Sequence, residues 1–183
     1  RAGLVTHRKK RRQSPKRPPR VAETASEPNH IWTADFKGWW KTAGRQKCEP
    51  LTIRDDYSRL VLAPRAMHPS RTSAVRREFQ PVFEGLGLPS VIRSDNGSPF
   101  AASHAPFGLS RLSAWWIALG IELDRIDPGH PEQNGGHERM HLDIRKELQG
   151  FIRGELPEHQ SAFDIWRNEF NWERPHDSLD MKM

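Results

Sequence analysis

The sequence predicts an α/β fold built on a five-stranded mixed sheet whose first three strands are antiparallel. Three strand-type segments open the folded region, and the connections between them are too short for helical crossovers. Helix-type and strand-type segments then alternate, which is the pattern of parallel strands joined by crossover helices. With 183 residues, the chain is long enough for one domain with a sizeable core.

The strands are predicted from short runs of aromatic and β-branched residues. In the first run Trp32, Ala34 and Phe36 alternate with polar residues, as expected for a strand with one covered face. The fourth run is apolar, follows a helix and ends at Asp95, which favours a parallel crossover. The predicted strands are 31–40, 48–54, 60–66, 90–95 and 121–126.

Four helices are predicted from apolar residues at helical spacing. The first, 70–87, ends in a glycine-rich stretch before Pro89, and the second is 109–119. The third begins after Gly136, and the last covers about 160–172. The apolar stripe of the third helix is predicted to consist of Met140, Ile144, Leu148 and Phe151.

Positive charge is concentrated at the amino end of the chain. Residues 1–20 contain nine Lys or Arg and no acidic residue, whereas the remaining 163 residues carry 20 basic against 23 acidic side chains. We therefore expect a basic, Pro-rich, flexible tail over residues 1–28 and a folded domain over 29–183. A basic run of this kind suits a polyanion such as DNA, although a solvated or targeting tail is the alternative. The residues expected to contact phosphate are Arg8, Lys9, Lys10, Arg11 and Arg12.

Several protein classes are excluded by composition. The single cysteine, Cys48, excludes a disulfide framework and a cysteine-based zinc module. No apolar run approaches the length of a membrane span, and no segment resembles a signal peptide. We expect a cytoplasmic protein, and because the first residue is Arg1, a fragment of a longer chain.

Three carboxylates stand out from their surroundings. Asp35 interrupts an aromatic strand, where aspartate is disfavoured unless it has a function or faces solvent. Asp95 ends an apolar strand, at the position where α/β sheets bind ligands, although Asp-Asn-Gly is also ordinary turn chemistry. Glu138 lies in the first turn of the third helix, where the helix dipole alone favours an acid. Its face also carries His141 and Arg145, away from the apolar stripe.

A competing interpretation is a zinc site. The stretch from His137 to His141 fits the pattern His-Glu-x-x-His of metalloproteases. That interpretation leaves Asp35 and Asp95 unexplained, and the motif is entered through two glycines rather than lying within a helix. The adjacent Asp55 and Asp56 are a weaker candidate pair, because the residues that follow them favour a turn.

Five separated motifs resemble the retroviral-integrase-like catalytic core, and among its members bacterial insertion-sequence transposases. The similarity extends in order from about Asn29 to the end of the chain. The motifs are Trp-Thr-Ala-Asp at 32–35, Leu-Thr-Ile-Arg-Asp-Asp-Tyr-Ser-Arg at 51–59, Ser-Asp-Asn-Gly at 94–97, Pro-Glu-Gln-Asn-Gly-Gly-His-Glu-Arg at 131–139 and Asn-Trp-Glu-Arg-Pro-His at 171–176.

This resemblance implies a ribonuclease-H-like fold and a DDE-type polynucleotidyl transferase. Asp35, Asp95 and Glu138 match the family's catalytic, metal-binding triad. The match implies that two Mg²⁺ ions bind there and that Mn²⁺ can substitute for them. The 42 residues between Asp95 and Glu138 exceed the family's usual interval, so Asp124 and Asp127 are the alternatives for the third ligand.

The resemblance also implies cleavage at a DNA 3′ end followed by strand transfer, with transposon ends and target DNA as partners of a homo-oligomer. Such a protein is nucleoid-associated when bound to DNA. We expect Arg139, His141 and Arg145 to contact DNA, and Asn96 and Asn134 to position it. The alternatives are an inactive or regulatory DNA-binding protein of the same fold and a simple metal-dependent nuclease.

Overall fold

The computed structural model describes residues 22–173. The predictions for the basic run at 8–12 and for the Arg-Pro-His motif at 174–176 lie outside the described residues. Within 22–173, no helix is long and apolar enough to span a lipid bilayer.

The described residues form a single mixed sheet of six strands. The strands are β1 (Ile31–Phe36), β2 (Trp40–Lys41), β3 (Lys47–Asp55), β4 (Val61–Met67), β5 (Val91–Ser94) and β6 (Glu122–Arg125). β1 lies at the centre, antiparallel to β3 and parallel to β5, and β4 and β6 form the two edges. The predicted antiparallel meander and the two parallel crossovers are confirmed.

The predicted first strand is divided in two. Gly38 has a φ of +95°, a conformation that glycine adopts at little cost and that breaks the extended chain. Trp40 and Lys41 then pair separately with Cys48 and Lys47, at the start of β3. The sheet therefore has a sixth, two-residue strand that the sequence pattern merged with β1.

Four strands point the same way and so define one edge of the sheet. β1, β5 and β6 are mutually parallel, and β4 shares their direction because β3 runs antiparallel to both β1 and β4. Their carboxyl ends meet at what we call the carboxyl edge. In α/β sheets this edge holds the ligand sites.

Helices cover both faces of the sheet. They are α1 (Thr72–Leu86), α2 (Arg111–Ala118), α3 (Gly135–Glu147) and α4 (Leu156–Trp172). One core joins α1 and α2 to the face that carries Trp32 and Ala34, and a second joins α3 and α4 to the opposite face. Asp35 is on the α3 side of the sheet, because side chains alternate along β1.

The third helix is shorter than its predicted stripe. α3 ends at Glu147, and the chain turns through Gly150, whose φ is +89°. Met140 and Ile144 are buried as predicted, but Phe151 is 72% exposed. Its assignment to the apolar stripe was wrong because the helix stops one turn before it.

Candidate active site

A cleft of about 460 Å³ opens at the carboxyl edge of the sheet. Its walls come from the end of β1, the loops after β5 and β6, and the first turn of α3. All three carboxylates selected from the sequence line it: Asp35, Asp95 and Glu138. Asn96, Asn134 and Asp127 line it as well.

Asp35 lies deepest of the three. Its side chain is 25% exposed, and its Oδ1 accepts a hydrogen bond from the Phe36 amide at 2.7 Å. The pKa of this carboxyl is raised to about 7, first by burial and then by the negative charges of Asp95 and Glu138, which together outweigh the opposing effects of the Phe36 hydrogen bond and of Lys37. The three carboxylates therefore influence one another electrostatically, and a cation between them would relieve the repulsion.

Asp95 is exposed in the turn that follows β5. Its Oδ1 accepts a hydrogen bond from the Gly97 amide at 3.0 Å. A Cβ atom on residue 97 would lie 2.9 Å from Asp95 Oδ2, so glycine allows the carboxylate to fold over the turn. Asn96 ties this turn to the next strand, because its Nδ2 donates to the Ile126 carbonyl at 2.6 Å.

Glu138 projects from the first turn of α3 and is exposed. Among the described residues, it has no hydrogen-bond or ion-pair partner, so its carboxylate is available to the cleft. Asn134, at the start of the same helix, is buried, and its Oδ1 has no hydrogen-bond partner within residues 22–173. An unsatisfied buried acceptor beside a cleft is costly, which is consistent with a donor that binds there.

The donor set fits a hard divalent cation, although the ligands are not drawn together. Oxygen ligands from a few carboxylates are what Mg²⁺ prefers in proteins. In the described part of the chain, no three His, Cys, Asp or Glu side chains are grouped closely enough to hold an ion as they lie. Metal binding would therefore require rotation of the exposed side chains of Asp95 and Glu138, and Asp95 would give up its hydrogen bond from the Gly97 amide.

The two alternative third ligands differ sharply. Asp124 is buried and accepts a hydrogen bond from Arg93 Nε at 2.7 Å, so it is a structural ion-pair partner. Asp127 lines the cleft, and its Oδ2 accepts from Gln133 Nε2 at 3.1 Å. Asp127 therefore remains the competitor of Glu138.

The remaining acidic pair of the sequence is structural. Asp55 is buried and accepts hydrogen bonds from the Asn29 amide at 2.8 Å and from both the Ser58 amide and hydroxyl at 2.7 Å. Asp56 pairs with Arg59 and with Arg93. Neither carboxylate lines the cleft.

The histidines of the zinc-like motif are joined to a threonine instead. Thr52 Oγ1 lies 2.5 Å from His137 Nε2, 2.8 Å from His141 Nε2 and 3.1 Å from the Asp35 carbonyl. A hydroxyl has one proton and two acceptor positions. It satisfies all three contacts when it donates to the carbonyl and accepts from both Nε2–H groups.

His137 and His141 are held neutral by this environment. His137 is fully buried, and its Nδ1 lies 2.8 Å from Thr33 Oγ1. Burial lowers the pKa of His137 well below its usual value and that of His141 to about 3. The expectation that His141 faces DNA needs correction: its side chain is 12% exposed and turns inward to Thr52 and Asp35.

Thr33 and Thr52 were missed by sequence reasoning. Thr52 is paired with Asp35 in the register between β3 and β1. Only that register reveals that its hydroxyl joins the Glu138 helix to the Asp35 strand.

The two arginines of α3 face different surroundings. Arg139 is 80% exposed and lies 4.0 Å from Asp143. The pKa of Lys37 is lowered, first by burial and then by the positive charge of Arg145. Arg145 therefore lies near Lys37. We call Lys37 and Arg145 the α3 surface, a pair of basic side chains of which Lys37 is the one near Asp35. Lys37 was not selected from the sequence, although it follows Asp35 by two residues.

Two family models match the chain, and both describe an integrase core domain. The first covers residues 25–131, more than half of the chain, and the second covers residues 119–183. The chain belongs to the integrase core domain family. The motifs on which the resemblance was based fall within these two matches.

This integrase core also resembles proteins of bacterial insertion elements. An uncharacterized 31.7 kDa protein of insertion element IS407 from Burkholderia multivorans is 28% identical over 180 residues, 97% of this chain and 62% of the relative. An uncharacterized 39.2 kDa protein of insertion element IS476 from Xanthomonas euvesicatoria is 31% identical over 156 residues, which are 84% of this chain and 42% of the relative. The integrase core thus spans about half the length of these curated relatives.

Solved structures confirm the ribonuclease-H-like fold. A chain of the simian T-cell lymphotropic virus intasome, in complex with PP2A regulatory subunit B56 gamma, matches with a TM-score of 0.64 and 19% identity over 87% of this chain and 55% of that one. The BIV integrase catalytic core matches with a TM-score of 0.60 and 21% identity over 81% of this chain and 87% of that one. The HTLV-2 integrase core in complex with magnesium, in its dimeric form, matches with a TM-score of 0.55 and 20% identity over 81% and 88%.

Proposed function

We propose that this integrase core is the catalytic part of a transposase that cleaves a DNA 3′ end and joins it to another DNA strand. The observation that carries the proposal is the meeting of Asp35, Asp95 and Glu138, from three separate elements, on one cleft. The similarity to proteins encoded by insertion elements supports DNA transposition as the process.

Asp35, Asp95 and Glu138 are the proposed ligands of Mg²⁺, with two ions bound and Mn²⁺ as a substitute. When bound, a pair of such ions supplies Lewis-acid stabilisation of the attacking and leaving oxygens of an in-line displacement at phosphorus. The HTLV-2 integrase core, which shares the fold, has been solved with magnesium. The raised pKa of Asp35 supports the same assignment, because it reflects first burial and then the negative charges of Asp95 and Glu138, which a bound cation would offset.

The other side chains of the cleft are proposed to bind and position DNA. Lys37 lies near Asp35, and Arg145 lies near Lys37, so both are proposed to contact a phosphate of the substrate strand, while the exposed Arg139 is proposed to reach another. Asn134 is the better placed of the two asparagines, because its Oδ1 lacks a hydrogen-bond partner among the described residues while Asn96 is engaged with Ile126. The basic run from Arg8 to Arg12 is proposed to add contacts that do not depend on DNA sequence.

Assembly as a homo-oligomer on DNA is part of the same proposal. Cutting and joining paired DNA ends requires at least two active sites. The structures that share the fold include an intasome and integrase cores in dimeric and trimeric form. In a cell, such an assembly is expected in the cytoplasm, on nucleoid DNA.

A catalytically inactive DNA-binding protein is the second candidate. The observation in its favour is that no three potential ligands within residues 22–173 are grouped for a metal. Metal-dependent chemistry separates the two candidates. Joining, as opposed to cleavage alone, separates a transposase from a plain nuclease.

The test uses duplex oligonucleotides that end in the terminal repeats of the element encoding the chain, together with the full-length protein. We expect cleaved and joined products with Mg²⁺ or Mn²⁺ and none with a chelator. In the variant Glu138→Gln, joining should fall by at least about a hundredfold, the scale of losing a key electrostatic stabiliser, while DNA binding persists. Retained joining in this variant would contradict the proposed mechanism.

A further inference from the structure

A second pocket, of about 360 Å³, lies outside the cleft and is lined by basic and hydroxyl side chains. We call it the arginine pocket. Its lining residues are Arg71, Thr72, Ser73, Arg76 and Arg111. None of them lines the cleft, and none is acidic.

The three arginines have no carboxylate partner among residues 22–173. Other arginines of the domain do: Arg65 lies 3.0 Å from Glu78, and Arg93 lies 2.7 Å from Asp124. All three side chains are exposed, but like charges that line one pocket without a counter-charge still repel one another. A site of this composition is complementary to an anion, and Arg, Ser and Thr are side chains that contact phosphate without reading base sequence.

Packing holds part of this pocket in place. The Arg76 guanidinium lies over the Trp115 ring, 4.6 Å from its centroid, and Trp115 packs in turn against Phe83 of the core. This contact between α1 and α2 restricts the Arg76 side chain, so less conformational entropy is lost when it binds a ligand.

The arginine pocket lies at the same edge of the sheet as the cleft but on the other face. Arg71 and Thr72 begin α1 shortly after β4 ends, and Arg111 begins α2. The loop that follows β5 is fastened beside α2 by the bond from Ser110 Oγ to the Phe100 carbonyl, 3.2 Å. Both helix starts are therefore at the carboxyl edge, on the side of α1 and α2, whereas the α3 surface is on the side of α3.

The acidic cleft is thus flanked by two basic surfaces on opposite faces of the sheet. Strand transfer requires two duplexes to meet at one set of carboxylates. We propose that the arginine pocket binds the phosphate backbone of the target duplex, while the α3 surface and the cleft hold the element end; this rests on the proposed function. Side chains that contact phosphate without reading base sequence suit a target duplex whose sequence varies. The element end, in contrast, has to be recognised by its sequence.

The test compares two double variants that remove the same charge. Arg71→Gln with Arg111→Gln alters the pocket and leaves Arg76 on Trp115. Arg77→Gln with Arg153→Gln is the control, because both side chains are exposed and neither lines the pocket or the cleft. Thermal unfolding of each variant shows that the fold is intact before activity is compared.

The first measurement separates the two chemical steps with the full-length protein. Cleavage of the element end should match the control, whereas joining into a supercoiled plasmid should fall roughly tenfold, the scale expected for losing two phosphate contacts. Joining equal to the control would overturn the proposal. A parallel loss of cleavage and joining would overturn it too, because the pocket would then serve the element end.

The second measurement does not depend on catalysis. Binding to a 40-base-pair duplex of arbitrary sequence is followed by fluorescence anisotropy between roughly 50 and 200 mM salt. The slope of log affinity against log salt should become shallower by about 2 in the pocket variant relative to the control variant. An unchanged slope would overturn the phosphate assignment. If the wild type neither cleaves nor joins DNA yet the slope changes as expected, the proposed function fails and the phosphate assignment stands.

Discussion

At the scale of single residues, Asp35 shows how a site can oppose the stability of its fold. Aspartate is disfavoured in strands, and this one is largely buried near two other acids. Its pKa of about 7 means that the folded protein holds a proton which the unfolded chain releases near pH 4. The proposed role of Asp35 as a metal ligand, rather than the fold, would account for an acid at this position.

This leads to a prediction for the metal-free protein. Because the folded-state pKa is raised, the unfolding free energy falls as the pH rises from about 4 to 7, where the folded state binds more protons. Asp35→Asn should remove that loss and stabilise the protein by on the order of 2 kcal/mol at pH 8, after allowance for solvent screening, with little effect at pH 4. Urea unfolding at the two pH values measures it, and equal stability of the two proteins at pH 8 would contradict the assignment.

Cys48 provides a second prediction at this scale. The side chain is fully buried in the core between the sheet and α4, and burial raises the pKa of its thiol to about 12. The thiolate is the reactive form, so iodoacetamide at pH 8 should leave the native protein unmodified and label it only as it unfolds in urea. Labelling of the native protein at the rate of a free cysteine would show that this core opens locally.

At the scale of elements, the contacts between α3 and the sheet determine the position of Glu138. His137, the residue before Glu138, forms hydrogen bonds with Thr33 of β1 and Thr52 of β3. Gly136 lies directly against the buried guanidinium of Arg54, whose Nη1 has no hydrogen-bond partner within residues 22–173. The helix therefore approaches the sheet closely enough that an additional atom on this side of its first turn would displace the Arg54 guanidinium.

Two adjacent glycines test this close approach. A Cβ atom on residue 136 would contact Arg54 Nη1 and lie 2.9 Å from its Nη2 and 3.0 Å from its Cζ, whereas nothing lies within 4 Å of one on residue 135. Gly136→Ala should destabilise the protein by about 1–3 kcal/mol through overpacking. Gly135→Ala, the matched control, should be neutral or stabilising by up to about 1 kcal/mol.

Urea denaturation of the two variants measures the difference. Because Gly136 precedes Glu138 by two residues, Gly136→Ala should also reduce joining more than Gly135→Ala does. Equal stability of the two variants would mean that Arg54 moves aside freely, and the close approach would then not constrain Glu138.

Sequence patterns identified the elements better than their ends. Alternation in β1 and the apolar stripe of α3 were correct where packing enforces them, as at Trp32 and Ile144. The break at Gly38 and the end of α3 depend on local backbone geometry, which the same patterns do not encode. Helical spacing predicted that His141 lies on the outer face of α3. Spacing does not reveal that Thr52 of β3 lies opposite and forms a hydrogen bond with the His141 side chain.

At the scale of the whole molecule, the order of motifs along the chain was the most informative signal. Asp35, Asp95 and Glu138 were selected from separate segments, and all three line one cleft. The arginine pocket had no comparable signal. Its residues come from two helices that are distant in sequence, and only the packing of α1 against α2 brings Arg76 and Arg111 together.

Within residues 22–173, the acidic cleft lies between two basic surfaces. Under the proposed function, metal and DNA should bind together, because a polyanion approaching three carboxylates without a cation is repelled. We expect DNA ending at the cleft to bind more tightly when Mg²⁺ is present. The effect should disappear in Asp35→Asn, as measured by anisotropy with an element-end duplex, and equal affinity with and without Mg²⁺ in the wild type would contradict this coupling.

Diffraction from crystals grown with Mn²⁺ would identify the third metal ligand. Anomalous scattering locates Mn²⁺ without assumptions about its ligands. We predict peaks in the cleft coordinated by Asp35, Asp95 and Glu138. Peaks coordinated by Asp127 in place of Glu138, or a cleft without Mn²⁺ at saturating concentration, would contradict the account.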